Sequence, residues 1–453
     1  MAAPGAVKEG DMLGCSYGKL FQVTVAGGSY QEGLTTHIQG VPTGILLDEA
    51  QIYSELLQRK PGQGELSSPR REPDIPVIYN GVNAADTMTG FHNEGHTNGT
   101  PLVILIPNLD RHFEHIEQYR STNRTPRPGH ASYASYQKYG SWDDSIGAGI
   151  FSGRYTSTIV AAGAVAKRVL AKFGIDIFAY VKEAAGISMP EMDRDAIREK
   201  VAAFKKFRTE NDPVYSIVYG EGRIKPGMRF LEKMAVLAEV ERMVPDIKRP
   251  MISQEEIDAL AERGLHPVLN CPDLAAARAM YDEILAIRDS GDSSGGLVEV
   301  VATGVPAGLG EPVFLKLDGE LGRMMSIGTV KAVELGAGMR VKDITGSQNN
   351  DQMSMKDGKV VFSNNNAGGI TGGLTTGQDI VVRLAVKPTP TIAKPQKTVD
   401  KVSLTDAQLA AVTRRDPTIV SRVWPVAEAF TAVILLDHLM MHFAYQDLCR
   451  GMR

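Results

Sequence analysis

The sequence contains few cysteines, and none of them is spaced for a metal or disulfide site. Three cysteines occur among 453 residues, at Cys15, Cys271 and Cys449. They lie far apart and form no CxxC pair, which argues against a zinc ribbon and a disulfide framework. This thiol pattern is typical of a reducing compartment, so we expect a cytoplasmic protein.

Signals for export, membrane insertion and nucleotide binding are also missing. The first 14 residues have no basic stretch followed by an apolar one, as a signal peptide requires. The longest apolar segment, Ala427–Tyr445, is interrupted by Asp437 and His438 and is shorter than the ~20 residues of a membrane span. We therefore predict a buried C-terminal helix there. Neither GxGxxG nor GxxxxGK(S/T) occurs, which argues against a Rossmann unit and a P-loop.

Neither sign of charge dominates, and the apolar content is ordinary. The net charge is −4 and the isoelectric point is near 6.2, so no electrostatic attraction to nucleic acid or anionic membranes is expected. A hydrophobic fraction of 43% is enough for a sizeable core and excludes a disordered chain. We therefore expect a globular protein whose partner is a small molecule.

Periodic apolar positions predict a mixture of strands and helices. Strand patterns occur at Phe21–Val25, Pro101–Ile106, Leu297–Val305 and Asp379–Val386. Helical spacing begins at residue 155 and ends where Gly174 can act as a C-cap. These elements do not form a regular βαβ repeat.

A charge-rich segment, Met189–Asn270, has helical periodicity. Ile197, Val201 and Phe204 share one face, and Ser253 with Glu256 forms a capping box. We predict a helical insertion on the periphery of the fold, outside the active site.

The segment Arg127–Gly140, RPGHASYASYQKYG, contains a turn that Pro128 and Gly129 make rigid. Arginine supplies a planar fork for carboxylate or phosphate, and histidine transfers protons near neutral pH. Arg127 and His130 are therefore candidate site residues, with an ordinary surface turn as the alternative.

Other local patterns are weaker. Ser363–Gly373 is rich in glycine and amides, and Lys387–Thr391 follows a strand, so the two could form an anion cradle or be plain turns. Arg414 and Asp416 are close enough to share a site at the entrance of the last helix, with a solvated helix entrance as the alternative. The pair His92 and His96 lies in a glycine-rich context that favours a loop over a metal site.

Six ordered segments resemble the signature segments of the chorismate synthase family. They are PGQGELSSPRREPD (61–74), RPGHASYASYQKYG (127–140), GVPAGLGEPVFLKLD (304–318), MMSIGTVKAVELGAG (324–338), SNNNAGGITGG (363–373), and VKPTPTI (386–392) with RRDPTIVSRVWPVAEA (414–429). The resemblance implies a single α+β domain over 1–453, a β-α-β sandwich to which residues 189–270 add the helical insertion. It also implies a homotetramer.

The same resemblance implies an activity and a cofactor. The family reaction is a trans-1,4-elimination of phosphate and a ring proton from 5-enolpyruvylshikimate 3-phosphate, which gives chorismate. Reduced FMN is required, although the reaction causes no net redox change.

The resemblance carries site roles to positions that match the family. The implied catalytic residues are His130, Asp416 and Ser29, together with Tyr30 at a position that differs. The implied substrate-binding residues are Arg59, Arg127, Arg154 and Arg414, with Glu65 at a changed position. The implied flavin-binding residues are Ser152, Gly372, Lys387, Pro388, Thr389, Pro390, Thr391 and Arg414.

Several positions depart from the family pattern. Tyr30 stands where the family has a catalytic histidine, and Glu65 replaces a substrate-binding arginine. Ile150 and Phe151 replace the arginine and first serine of a flavin-binding motif, and Tyr155 replaces a glutamate. A tyrosine, with a pKa of about 10, is a poor proton source at pH 7.

We therefore predict a diverged lyase that acts on a related cyclohexene carboxylate, with an altered substrate or leaving group and weakened FMN binding. One alternative is a genuine chorismate synthase with unusual substitutions. A second is a family member that binds a ligand without catalysis.

Overall fold

Two five-stranded antiparallel sheets enclose a layer of helices. The computed structural model describes residues 14–61, 64–67, 72–85, 92–109, 123–144, 146–243, 254–411 and 416–452. The first sheet has the order β1-β2-β3-β5-β4. Its strands are β1 (Ser16–Tyr17), β2 (Gln22–Gly27), β3 (Gly33–Gln39), β4 (Val77–Asn80) and β5 (Leu102–Pro107).

The second sheet has the order β7-β6-β8-β14-β9. Its strands are β6 (Asp176–Ala184), β7 (Ile187–Ser188), β8 (Gly296–Thr303), β9 (Val330–Leu335) and β14 (Ile380–Val386). Three two-stranded ladders also occur among the described residues. They pair β10 (Met353–Lys356) with β11 (Lys359–Phe362), β12 (Ile370–Thr371) with β13 (Leu374–Thr375), and β15 (Gln396–Asp400) with β16 (Thr405–Leu409).

Helices fill the space between the two sheets. Helix α1 (Glu49–Arg59) and helix α3 (Thr156–Leu170) pack beside the long C-terminal helix α11 (Val420–Gly451). Helix α3 also contacts the first sheet, and α11 contacts the second. At Gly163 an added Cβ would come within 2.3 Å of the Ala429 Cβ, so this glycine allows α3 and α11 to lie close together.

Helix α11 confirms the predicted buried C-terminal helix. By length and composition it could cross a membrane, but 94% of its most apolar window is buried inside the protein. Its Asp437 carboxylate accepts hydrogen bonds from the backbone N–H groups of Lys19, Leu20 and Phe21 at 2.7–2.9 Å. The helix therefore also anchors the turn that leads into β2.

The other α-helices of the described residues lie around this sandwich. They are α2 (Ser132–Tyr139), α4 (Arg194–Glu210), α5 (Pro213–Tyr215), α6 (Phe230–Met243), α7 (Gln254–Glu262), α8 (Leu274–Asp289), α9 (Leu317–Gly322) and α10 (Gly346–Asn349).

The described part of the segment 189–270 is helical as predicted, and its helices pack one face inward; its place outside the active site stays a prediction. Ile197, Val201 and Phe204 of α4 are at most 3% exposed and belong to the main hydrophobic core. Residues of α5 and α6 form a second core with Tyr53 and Leu57 of α1. An amphipathic stripe shows that a helix buries one face, but it does not show how large the covered surface is.

Candidate functional site

The turn that carries His130 is held from two sides. The His130 backbone N–H donates to the Arg127 carbonyl at 3.2 Å, and the Ser132 N–H donates to His130 Nδ1 at 3.2 Å. The Lys387 ammonium donates to the Gly129 carbonyl. The rigid turn predicted from Pro128 and Gly129 is therefore present, and it lies against the segment after β14.

His130 is neutral at pH 7 in this environment. Burial lowers its pKa to about 4, and the positive charges of Arg127 and Lys387 contribute to that lowering. Since Nδ1 accepts a hydrogen bond, the neutral ring carries its proton on Nε2. The expectation that His130 titrates near neutral pH is thus corrected: the free protein presents an Nε2–H donor at that pH.

The Lys387–Thr391 segment links the His130 turn to the start of α11. Arg127 donates to the Thr391 hydroxyl at 3.4 Å, and the Thr389 hydroxyl donates to the Asp416 carbonyl at 2.7 Å. Ser293 donates to the Thr389 carbonyl at 2.8 Å. These bonds fix the segment's backbone close to both Arg127 and Asp416.

The Asp416 carboxylate faces Arg422, whose Nη1 lies 3.4 Å from both carboxylate oxygens. Arg422 Nε also donates to the Arg59 carbonyl at 3.0 Å. Arg422, which the sequence reasoning missed, therefore joins Asp416 to the C-terminal end of α1.

Two of the predicted substrate-binding arginines form a buried ion cluster. Arg59 and Arg154 are 1% and 4% exposed. Arg59 Nη2 lies 3.1 Å from the Asp74 carboxylate, and Arg154 contacts Asp74 and, at 2.9 Å, Glu72. In this conformation both guanidinium groups hold protein carboxylates, and their contact with a substrate stays a prediction.

The electrostatics of this cluster keep Asp74 ionised. Burial raises the pKa of its carboxyl, but the guanidinium groups of Arg154 and Arg59 lower it more, so the net pKa lies below the ordinary value. Glu72 and Asp74 belong to a segment that the sequence motif contained, yet nothing in the motif indicated their partners.

The hairpin that carries Ser29 and Tyr30 joins β2 to β3 and is linked to the same cluster. The amide of Asn108 donates to the carbonyls of Gly28 and Gln31, while its oxygen accepts a hydrogen bond from Arg154 Nε at 2.5 Å. Asn108 is 7% exposed and connects the hairpin to the buried arginines. An isolated asparagine gives no sequence signal of such a role.

The Tyr30 ring lies against a left-handed run of backbone. Gly147, Ala148 and Gly149 have φ of 58°, 73° and 49°, and a Cβ on Gly147 would come within 2.4 Å of the Tyr30 ring. Ser29 is buried, and its N–H donates to the Gly149 carbonyl at 3.3 Å. The absence of a side chain at Gly147 therefore makes room for the tyrosine.

The changed residues after this run have different surroundings. Phe151 is 42% exposed, and the Ser152 hydroxyl accepts from the Arg154 N–H at 3.2 Å, so Ser152 caps the turn before α3. Burial raises the pKa of Tyr155, which keeps its hydroxyl protonated at neutral pH. A flavin contact by Ser152 stays a prediction.

Glu65 forms an ion pair at the protein surface. One of its carboxylate oxygens lies 3.2 Å from Arg288 Nη1, and the Glu65 side chain is 60% exposed. The negative charge of Glu65 is therefore partly compensated by Arg288, a partner that no sequence motif indicated.

Three described candidates, Gly372, His92 and His96, lie apart from these contacts. Gly372 forms the turn between β12 and β13 at φ 66°. His92 and His96 lie outside helices, as the glycine-rich context predicted. Arg414 lies outside the described residues.

A cavity of about 550 Å³ opens beside the Ser29–Tyr30 hairpin, but the predicted site residues do not line it. Its lining residues are Gly27, Gln31, Glu32, Gly33, Thr35, Leu105 and Asp144. Two carboxylates in this wall disfavour an anionic ligand.

The chemistry of the His130 region suits a phosphate-bearing cofactor. Arg127 and Lys387 supply two cations, and the hydroxyls of Thr389 and Thr391 lie in the same segment. The buried Thr329 hydroxyl, next to Lys387, has no hydrogen-bond partner among the described residues. These donors fit the anionic end of FMN, whereas Ile150 adds no polar group.

Comparisons with known proteins agree over nearly the whole chain. The chain is 37% identical to the chorismate synthase of Acetivibrio thermocellus, with 96% of this chain and 97% of the relative covered. It is 38% identical to the chorismate synthase of Methanosarcina mazei, with 95% and 97% covered. A crystal structure of chorismate synthase shares the fold with a TM-score of 0.61 at 24% identity, covering 94% of this chain and 93% of that one. The profile of the family described as chorismate synthase matches residues 21–440, and the chain therefore belongs to the chorismate synthase family.

Proposed function

We propose that this family member is a carbon–oxygen lyase that catalyses a 1,4-elimination on a shikimate-type cyclohexene carboxylate, with a substrate or leaving group that differs from the ordinary one. The observation that carries this proposal is the combination of an ordered Arg127–His130–Lys387 group with Tyr30 at the other catalytic position. One half of the site retains the family's residues while the other half is changed.

The proposed reaction is redox-neutral overall. A ring C–H bond breaks and its proton leaves, its electron pair forms a new C=C bond, the existing ring C=C bond shifts by one position, and the allylic C–O bond breaks with its electron pair going to the leaving group. Arg127 binds an anionic group of the substrate. The Asp416 carboxylate, oriented by Arg422, accepts the ring proton.

The neutral His130 donates a hydrogen bond from Nε2–H to the oxygen of the leaving group. This hydrogen bond stabilises the negative charge that develops on the leaving group, and the imidazole ring keeps its proton. The Tyr30 hydroxyl supplies a second hydrogen-bond donor.

The family generally uses reduced FMN, which when bound supplies an electron to the departing group and recovers it afterwards. Here Lys387, Thr389 and Thr391, with Arg414, would hold the cofactor. Ile150 and Phe151 cannot pair with phosphate, so we propose that FMN binds more weakly than is usual in the family.

A specific observation favours a second candidate, a genuine chorismate synthase. Glu65 pairs with Arg288 at the surface, so its charge repels a phosphorylated substrate less than a free carboxylate would. Under this candidate the charge reversal at position 65 leaves substrate binding largely intact.

We also propose that the chain forms one domain and works as a cytoplasmic homotetramer, as the family resemblance implies. Apolar side chains such as Phe314, 95% exposed, and Met353, 70% exposed, support a subunit contact. Sedimentation velocity at micromolar concentration tests this proposal, and a monomer would contradict it.

An anaerobic assay with reduced FMN and 5-enolpyruvylshikimate 3-phosphate tests the proposed function. We expect little chorismate by mass spectrometry, but 1,4-elimination from an analogue with another leaving group. Chorismate formation at a rate ordinary for the family would support the second candidate. Analogue binding without turnover, unchanged in His130→Asn, would instead indicate a non-catalytic protein.

A further inference from the structure

The Tyr155 hydroxyl joins two distant segments of the chain. It donates to the Ser326 carbonyl at 3.1 Å and accepts from the Gly328 N–H at 3.0 Å. Both bonds go to the backbone of one turn, between the 3₁₀ helix Arg323–Ser326 and strand β9. Tyr155 itself immediately precedes α3.

The backbone of this turn is strained where it leads into β9. Thr329 has φ 80°, a left-handed value that a β-branched residue adopts only when its surroundings hold it there. The pairing of β14 with β9 shifts register between Ala385 and Val386, beside this turn. The Tyr155 bonds are therefore part of what holds Thr329 in place.

The 326–329 turn also fixes the backbone of Lys387. The Lys387 backbone N–H donates to the Thr329 carbonyl at 3.0 Å. The Lys387 ammonium donates to the Gly129 carbonyl, one residue before His130. Three hydrogen bonds, joined by the backbone between Gly328 and Thr329 and by the Lys387 side chain, thus connect the Tyr155 hydroxyl to the His130 turn.

We propose that Tyr155 is a positioning residue whose hydroxyl fixes the 326–329 turn and, through Thr329, places Lys387 beside His130. The inference rests on the proposed function for its consequence in catalysis, but the positioning itself is a property of the free protein. A carboxylate at position 155 could accept from Gly328 N–H but could not donate to the Ser326 carbonyl. The tyrosine therefore makes a contact that the glutamate of the family motif cannot make.

The Tyr155→Phe variant removes the hydroxyl and keeps the ring. We expect amide hydrogen exchange at Gly328 and Lys387 in the flavin-free protein to accelerate about fivefold to tenfold, the scale of one lost hydrogen bond. The matched control is Tyr79→Phe, which changes a 58% exposed tyrosine in β4. Unchanged exchange at Lys387 in Tyr155→Phe would overturn the inference.

A second measurement separates positioning from general stability. The ionised Lys387 is one cause of the low pKa of His130, so its displacement should raise that pKa. NMR titration of the His130 ring in Tyr155→Phe should show the rise, and Tyr155→Glu should show it too. A lowered melting temperature with the His130 pKa unchanged would assign Tyr155 a purely structural role.

FMN titration then tests the consequence for the site. Weakening of FMN binding by Tyr155→Phe and by Lys387→Met should be less than additive in the double variant, because both changes disturb one position. If the unaltered protein does not bind FMN, the flavin part of the proposed function fails, while exchange and the His130 pKa still decide the role of Tyr155. Fully additive effects on FMN binding would overturn the coupling.

Discussion

At the scale of single residues, the effect of a substitution depends on what its side chain contacts. Glu65 reverses a charge of the family pattern, yet the structure places it at the surface with Arg288. The Tyr30 ring, in contrast, fills the space beside Gly147. The less exposed change therefore has more influence on the site.

His130→Asn should reduce turnover of the substrate that the assay identifies by about 10²-fold, the scale of removing one hydrogen-bond donor to the developing negative charge. The melting temperature should change little because the His130 side chain is only partly buried. Single-turnover kinetics and thermal unfolding measure the two effects. The control Arg127→Ala should mainly raise KM, since a fixed cation contributes attraction and no proton.

A strong loss of thermal stability in His130→Asn with turnover intact would identify a structural histidine. That result would also remove the main support for the proposed half-site.

Glu65→Arg tests whether position 65 faces the substrate. We expect an added cation to lower KM for 5-enolpyruvylshikimate 3-phosphate about tenfold, because a cation at position 65 attracts the anionic substrate that a carboxylate repels. Stability should change by less than about 1 kcal/mol, since the broken pair with Arg288 is exposed. Arg288→Gln is the matched control because it breaks the same pair without adding a positive charge. Equal KM values in both variants would show that position 65 lies too far from the substrate to matter.

At the scale of elements, the segment 189–270 is joined to α1 by buried polar contacts. Asp212 accepts from the Tyr53 hydroxyl at 2.8 Å and pairs with Lys60 at 3.0 Å, next to Arg59. Lys233 of α6 pairs with Glu49 at the start of α1. Because both ends of α1 depend on this segment, its deletion should leave no soluble protein.

Lys233→Met should destabilise the protein by about 3–5 kcal/mol, because it leaves Glu49 buried without its cation. Both side chains are 1% exposed, and burial raises the pKa of Glu49 even with Lys233 present. Urea unfolding measures the loss. Arg229→Ala, which breaks an exposed pair with Glu232, should cost less than about 1 kcal/mol.

The double variant Glu49→Gln with Lys233→Met should recover part of that stability. If Lys233→Met is no worse than Arg229→Ala, the buried pair does not hold α6 against α1.

Local signals in the sequence predicted elements well but not their long-range contacts. The helix predicted from residue 155 to Gly174 is observed as α3 followed by a 3₁₀ turn, and Gly174 is a left-handed C-cap at φ 73°. The His130 turn was also predictable, because proline and glycine fix its backbone locally. The Tyr155 contact with Gly328 spans 173 residues, and no local pattern encodes such a pairing.

At the scale of the whole molecule, buried charges connect the layers of the sandwich. Glu428 of α11 lies 2.5 Å from both Lys167 of α3 and Lys205 of α4, and its second oxygen accepts from the Ala179 N–H in β6. The interior therefore contains carboxylates that pair with lysines, and it also contains buried histidines. Stability should therefore depend on pH through more than one kind of group.

The buried histidines determine how the free energy of unfolding changes at mildly acidic pH. Burial lowers the pKa of His266 to about 4, and His266 Nδ1 accepts from the N–H groups of Val268 and Leu269, bonds that protonation would break. The unfolded chain binds a proton at this residue below about pH 6.5. Stability from the neutral histidine is therefore present above about pH 6.5 and is lost as the pH falls toward 4.

Urea unfolding at pH 7 and pH 5 should show this loss directly. For each histidine with these pKa values, the free energy of unfolding should fall by about 2 kcal/mol between the two pH values. His266→Asn keeps an acceptor near Nδ1 but cannot be protonated, so its loss should be smaller than that of the unaltered protein by about the same amount. The comparison of slopes is independent of any overall destabilisation by the substitution. If both proteins lose the same stability between pH 7 and pH 5, His266 does not bind a proton on unfolding, and the loss must come from other groups such as His130, whose pKa is also lowered to about 4. Carboxylates such as Asp74, whose pKa is lowered, affect stability only at more acidic pH.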